Sequence, residues 1–241
     1  MNAHSLHTCF PRIPVHALGL LPLVLALGAP VRAADDPYVW RSMFNGRDLT
    51  GWTNTGYVQP GPIVAYPDRP PASLPTNAPP GPAIFLGAGE DLTGISWTGA
   101  LPRVNYEVRL EAMRVSGGDF FCGLTFPVGT NHATLVVGGW GGAIVGISSL
   151  DGMDASENET SSFMEFENGR WYDISLTVRE DRLIADIGDR RVVDVDIRGR
   201  RVHMRAGEIE EGIPFSISTW RTAAALRNIR IRALPPPPPS P

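Results

Sequence analysis

Along most of the chain, apolar and polar residues alternate with a period of two. Tyr106, Val108 and Leu110 alternate with Glu107, Arg109 and Glu111, the pattern of a strand buried on one face. Tyr172, Ile174, Leu176 and Val178 repeat it, followed by Leu183, Ala185 and Ile187. Beyond a Gly188-Asp189 turn come Val193, Val195 and Ile197. Residues 120–126 predict another strand, with Phe120, Cys122, Leu124 and Phe126 on one face. Shorter apolar runs at 134–137 and 144–147 lie among glycines. Phe215 and Ile217 precede Trp220, and Arg227, Ile229 and Ile231 close the series. No stretch keeps helical spacing over three turns. Many short strands separated by turn residues predict an all-β sandwich or jelly roll.

The ends of the chain break this pattern. Arg12, an apolar run over 17–29 interrupted by Pro22, and the small-x-small Val31-Arg32-Ala33 have the layout of a secretory signal peptide over residues 1–33. Cleavage after Ala33 or Ala34 and export to the periplasm or beyond are expected. The apolar run is too short for a stable membrane span. Residues 34–234 then form a single domain. Within it, the proline-rich segment 56–82 reads as a long irregular loop. Residues 235–241, five of them consecutive prolines, read as an extended polyproline tail.

Composition narrows the chemistry. The 241 residues carry a formal net charge of −4. Loss of residues 1–33 removes Arg12 and Arg32 but no acid, so the mature chain is more acidic still. That charge argues against a nucleic-acid partner. The sequence contains no lysine, which excludes Schiff-base chemistry and makes every cationic contact a guanidinium or an imidazole. Cys122 is the one cysteine after residue 33, so no disulfide forms within the domain. Its apolar neighbours predict a buried small hydrophobe.

Phe44-Asn45-Gly46-Arg47-Asp48-Leu49-Thr50-Gly51-Trp52 is a tight-turn segment anchored by Phe44, Leu49 and Trp52. This string resembles the opening motif of the 3-keto-disaccharide hydrolase family. The closing Leu226-Arg227-Asn228-Ile229-Arg230-Ile231 is similar to that family's terminal strand. The resemblance covers roughly residues 38–234. It implies a secreted, concanavalin-like or laminin-G-like jelly-roll β-sandwich that cleaves glycosidic bonds of sugars already oxidised at C3. A C3 ketone acidifies the C2 hydrogen, so a base can start an elimination at C1, and water then adds back. The route needs a base, an acid at the leaving oxygen and a cation at the ketone. The centre departs from the family's commoner form: Gly117-Gly118-Asp119-Phe120-Phe121-Cys122 replaces a glycine–asparagine–serine–glycine turn. The alternative is a non-catalytic carbohydrate-binding or cell-envelope interaction domain on the same scaffold.

Several residues offer themselves for this chemistry, each with a plainer reading beside it. Asp119, after two glycines, is a candidate base or a turn cap. His132 is a candidate base suited to neutral pH or a surface turn residue. Asp151, Asp154, Glu157 and Glu159 lie within nine residues. Glu157 is the candidate acid there, and Ser148, Asp151 and Asn158 are candidate sugar contacts. The same loop is the candidate for a divalent cation, or is simply a solvated acidic loop. Trp140, set among Gly138, Gly139, Gly141 and Gly142, offers a flat face for sugar C–H groups or turns into the core. Trp220 and Arg221 read as a strand-end pair at a cleft, with Arg221 at the ketone or paired to the acidic loop. If Trp140 and Trp220 lay on opposite faces, both carbohydrate readings would weaken.

Overall fold

The computed structural model describes Met1 and residues 36–236. The expected signal peptide and most of the polyproline tail lie outside the described residues. Fifteen strands are described: β1 (Arg41–Ser42), β2 (Trp52–Asn54), β3 (Ile63–Tyr66), β4 (Ala83–Leu86), β5 (Leu92–Trp97), β6 (Tyr106–Ser116), β7 (Cys122–Val128), β8 (Asn131–Gly139), β9 (Ile144–Ser148), β10 (Ser162–Phe163), β11 (Trp171–Val178), β12 (Arg182–Ile187), β13 (Arg190–Asp196), β14 (Ser216–Trp220) and β15 (Ala223–Ala233). Among the described residues the one helical piece is a 3-10 turn, Glu208–Gly212. Among the described residues no helix is long and apolar enough to cross a membrane.

The strands form two antiparallel sheets, an all-β sandwich. The first runs β13-β12-β11-β6-β15-β4-β3, with β1 also on β15. The second runs β10-β9-β8-β7-β14-β5-β2. The period-two segments of the sequence are strands, and apart from Phe120 their apolar members face the other sheet. Val108, Leu110, Ile174 and Leu176 of the first sheet pack in one core with Cys122, Leu124, Phe126, Leu135 and Ile217 of the second. Each such large apolar side chain contributes about 2 kcal/mol by leaving water. Cys122 is fully enclosed, and burial pushes its thiol up to about 12, so it is a packing residue.

Two expectations need correction. Phe120 does not share a face with Cys122: it precedes β7 and is half-buried, while Phe121 takes the core place. The break occurs because Asp119 Oδ1 accepts the Phe120 amide at 2.7 Å, which turns the chain before the ladder begins. The 56–82 segment is not wholly irregular either. It contains β3, and its prolines then fold Leu74 and Ala78 onto the outer face of the first sheet. There they pack with Tyr66, Phe85 and Val115, and Tyr66 donates to the Pro79 carbonyl at 2.7 Å. Alternation could not reveal this second core, because prolines interrupt the period.

The opening motif is a staple. Asn45 Oδ1 accepts the Arg47 and Asp48 amides at 2.8 and 3.0 Å. Asp48 Oδ1 accepts the Thr50 amide at 2.9 Å. Bonding to Thr50 first, then to Asn45, holds the Asp48 carboxyl below its ordinary range. Trp52 Nε1 donates to the Met43 carbonyl at 2.7 Å, and its ring meets Trp97 edge-on at 5.2 Å. Gly51 has φ +85°, and a Cβ there would lie 2.6 Å from the Trp97 ring. Gly51→Ala is therefore expected to cost about 2–4 kcal/mol from backbone strain and overpacking. Urea unfolding checks this, and an unchanged midpoint would refute the staple.

His132 lies on β8 opposite Pro127, half-buried, with Nε2 unpartnered among the described residues. Burial first, then the Arg103 cation, holds its pKa below the ordinary value. The unfolded chain then binds the proton more readily than the fold does. Stability is expected to be flat above about pH 6.5 and to fall as pH drops toward 5. Melting curves of His132→Gln should lose part of that acid-side fall.

Candidate functional site

A cleft of about 440 Å³ opens on the outer face of the second sheet. Thr134, Val136 and Ser148 form its floor, from β8 and the end of β9. Asp119 and Phe120 enter from the approach to β7, Trp220 from the end of β14, and Asp91 and Leu92 from the start of β5. Trp140 rises from the β8–β9 turn. The remaining wall is the chain between Arg205 and Ile209. The volume suits a small ligand.

The turn that carries Trp140 is held from both sheets. The Gly142 and Ala143 amides both bond the Gly139 carbonyl at 3.2 Å. Trp140 itself sits at φ +50° and is 41% exposed, so its ring is available to a ligand instead of filling the core. Arg114, reaching from β6 of the other sheet, donates to the carbonyls of Gly142 and Phe166 and to Asn168 Oδ1. Burial lowers the pKa of Arg114, offset in part by Tyr172 and Asp119. A Cβ at Gly142 would come within 2.7 Å of its guanidinium, so glycine is required for this close approach. Asp119 ties the same turn from the cleft side: Oδ2 accepts the Gly141 amide at 3.2 Å. Its own amide donates to Thr222 Oγ1 at 3.1 Å. The carboxylate is thus oriented by two backbone donors and retains acceptor positions.

Four of the sequence candidates meet in this cleft: Asp119, Trp140, Ser148 and Trp220. The two tryptophans are on the same face. Five others lie outside its lining. His132 shares the strand face of Thr134 but sits beyond the floor, at the start of β8. Arg221 stacks on Trp220 at 5.3 Å and pairs with Asp91, its Nη2 2.6 Å from Oδ1. Its partner is thus Asp91 and not the acidic loop. Glu157 is exposed and folds back toward the Asp154 amide at 3.4 Å.

The acidic loop is consumed by its own architecture. Asn158 is buried, and its Nδ2 donates to the carbonyls of Ile147, Met153 and Asp154 at 2.8, 3.1 and 2.8 Å. Its Oδ1 accepts from the Thr160 amide and hydroxyl. Both ends of this side chain are spent inside the loop. Asp151 pairs with Arg200 at 2.5 Å and accepts the Arg201 amide at 2.7 Å. The Arg201 amide, then Arg200, holds the Asp151 carboxyl below the usual range. Arg200 does the same for Glu159, to which it also donates. Asp154 accepts the Ser148 and Ser149 hydroxyls and pairs with Arg205, each at 3.1 Å. Among the described residues, no three His, Cys, Asp or Glu side chains converge as metal ligands would.

Sequence reasoning missed Asp91, Arg205 and Glu208 in the lining. Arg205 and Glu208 are isolated charges in a segment without period, brought to the cleft only by its path across the sheet. Asp91 had one local signal, since Gly89-Glu90-Asp91 is a turn immediately before β5.

No curated protein matches the chain in sequence. Among solved structures, the fold is similar to domain 4 of AbnA, a GH43 extracellular arabinanase from Geobacillus stearothermophilus solved with arabinotriose. The TM-score is 0.50 at 15% identity, covering 82% of this chain and 92% of that one. The carbohydrate-binding module CBM66 from Bacillus subtilis also aligns, with TM-score 0.47 at 15% identity over 77% of this chain and 97% of that one. The family model described as a 3-keto-alpha-glucoside-1,2-lyase-like domain matches residues 39–232. That span runs from just before the Asn45–Asp48 staple to the end of β15 and takes in both sheets and every wall of the cleft. The chain therefore belongs to the 3-keto-alpha-glucoside-1,2-lyase-like domain family.

Proposed function

We propose that this is an exported enzyme that cleaves 3-keto-glycosides by elimination and hydration, with the sugar held in the Trp140 cleft. The observation that carries this reading is the convergence of Trp140, Trp220 and Asp119 on one cleft. Indole faces pack against the C–H surface of a sugar ring, while a carboxylate oriented by backbone donors is ready to accept a proton. In this scheme Asp119 takes the C2 proton. Arg205, which lines the cleft and is anchored by Asp154 at 3.1 Å, binds the C3 ketone oxygen and stabilises the enolate that forms. Arg205 takes this place instead of Arg221 because Arg205 lines the cleft and Arg221 does not. Glu208, farther along the same wall, serves the leaving oxygen in place of Glu157. Its Oε1 accepts the Val58 amide, which fixes the carboxyl at the rim.

A second reading is a non-catalytic sugar-binding domain. It is favoured by the bonds that Asp119, Arg205 and Glu208 already make within the protein. The likeness to domain 4 of an arabinanase supports a shared fold and leaves the choice to experiment.

Turnover of a 3-keto-disaccharide by residues 34–241 decides between them. Release of free sugar is expected, and saturable binding without release would establish the binding domain. Asp119→Asn is expected to lower kcat roughly 10²–10⁴-fold with little change in KM. Trp140→Ala is expected to weaken binding about tenfold while the wild-type melting temperature is kept. Unaltered affinity in that variant would remove Trp140 from the site.

A further inference from the structure

On the outer face of the first sheet, the proline-rich cover packs on Met113 and Val115, at one end of β6. At the other end of that strand the face is polar and cationic. Val108, Leu110, Ile229 and Ile231 are committed to the core, so period two leaves Glu107, Arg109, Arg230 and Arg232 outside. Register sets Arg230 opposite Arg109, and Arg232 opposite Glu107. All three arginines converge on Trp40. The guanidinium carbons of Arg109, Arg230 and Arg232 lie 5.5, 5.0 and 4.5 Å from the centre of its ring.

One carboxylate serves the three. Glu107 is 5% exposed, and its Oε1 accepts Arg109 Nε at 2.7 Å. Its Oε2 accepts Arg232 Nε and Nη2 at 2.9 and 2.5 Å. Glu107 thus fixes two guanidinia and neutralises one. Arg230 is exposed and enters no ion pair among the described residues. Nearby groups do not restore the balance. Ser175 and Thr177, beside Arg109 and Glu107 on β11, are uncharged, and Glu111 is taken by Arg227 at 2.6 Å. The flanking Asp36 and Arg41 cancel formally. Three arginines against one glutamate leave two positive charges around one indole, in a chain whose formal net charge is −4. Donors also remain open. Both terminal nitrogens of Arg109, one of Arg232 and the whole Arg230 guanidinium lack a protein acceptor among the described residues. Guanidinia so placed take phosphate oxygens.

The cluster has an exposed apolar flank. Tyr38 and Val39, immediately before Trp40, are 49% and 62% exposed. A turn holds them there. The Val39 amide bonds the Asp36 carbonyl at 3.1 Å, and the Tyr38 amide bonds Asp36 Oδ1 at 2.9 Å. The Pro37 carbonyl accepts the Ala233 amide at 2.7 Å, which ties this turn to the end of β15 next to Arg232. Water gives no reward for an exposed tyrosine and valine beside unpaired arginines. A lipid interface rewards all of them, since phosphates meet the guanidinia while the apolar groups enter the headgroup layer.

We propose that the Tyr38–Trp40 tip and the Arg109, Arg230 and Arg232 cluster form a docking face for a lipid surface rich in anionic phosphate headgroups. The protein binds there peripherally, with no spanning segment. This face and the Trp140 cleft are on the outer sides of opposite sheets, so the cleft stays open to solvent while the domain is docked. The proposal does not depend on what the cleft binds.

Vesicle co-sedimentation of residues 34–241, which hold both sheets entire, tests this. Residues 1–33 are left out because the apolar run over 17–29 binds lipid by itself. The probes are vesicles of phosphatidylglycerol and phosphatidylcholine in equal parts, vesicles of phosphatidylcholine alone, and inorganic phosphate in solution. Binding to the mixed vesicles is expected to be at least tenfold tighter than to phosphatidylcholine, and to weaken steeply with added salt. Arg230→Gln, which breaks no ion pair, should weaken it about fivefold, and Arg230→Glu further. Joint Tyr38→Ser and Val39→Ser should weaken it about tenfold. Each variant should keep the wild-type melting temperature. Equal binding to both kinds of vesicle, or none to either, would overturn the docking face. A preference for mixed vesicles that survives Arg230→Glu at full strength would overturn its assignment to this cluster. Calorimetric binding of inorganic phosphate that Arg230→Glu abolishes, with no vesicle binding, would make the cluster a site for soluble phosphate and overturn the lipid surface as its partner.

Discussion

The packing of one sheet's alternate side chains against the other's is the constraint on which the rest depends. Once Cys122, Leu124 and Phe126 are committed to the core with Leu110, Ile174 and Leu176, period two leaves no freedom for the residues between them. Gly123 and Thr125 must face outward, and so must Thr134 and Val136 on the neighbouring strand. The floor of the cleft is therefore the unavoidable reverse side of the core. A one-residue slip in β7 or β8 would bury the hydroxyls and expose the leucines together.

Both outer faces are then covered in part, by different means. On the first sheet, a proline-rich excursion lays Leu74 and Ala78 over Phe85 and Val115, which is an apolar cover on an apolar patch. On the second sheet, the segment before β14 lies over serines and threonines. Burying apolar surface rewards the first, whereas the second keeps hydroxyls from water without pairing them all. The polar face is also where the tryptophans, the oriented Asp119 and the rim arginine collect.

Charge is arranged to free some groups by occupying others. Arg200 absorbs Asp151 and Glu159, and Asp91 absorbs Arg221. Asn158 spends its whole amide holding the 149–160 region. What remains facing the cleft is a small set in which each member is fixed from behind: Asp119 by backbone amides, Arg205 by Asp154, and Trp140 by the glycine turn that Arg114 grips from the opposite sheet. Preorganisation of this kind is what either a binding site or a catalytic one requires.

The fold was legible because alternation is a local signal, and a two-sheet core is the direct way to bury so many half-apolar strands. By itself the sequence determined the strands from Tyr106 onward except β10, the burial of Cys122, the turn at Asn45-Gly46 and the family to which these belong. It also marked Trp140 through its glycines and Asp119 through its turn. It could not separate Glu157, Asp151 and Asn158 from real cleft residues, because all are polar groups in one loop. Whether such a group faces a ligand or a neighbouring arginine depends on a partner some 40–50 residues away, as with Arg200. Asp91, Arg205 and Glu208 were invisible for the same reason. Only the tertiary structure decided which charges are spent and which are presented, since that choice is made by contacts between segments distant in the chain and leaves no period along it.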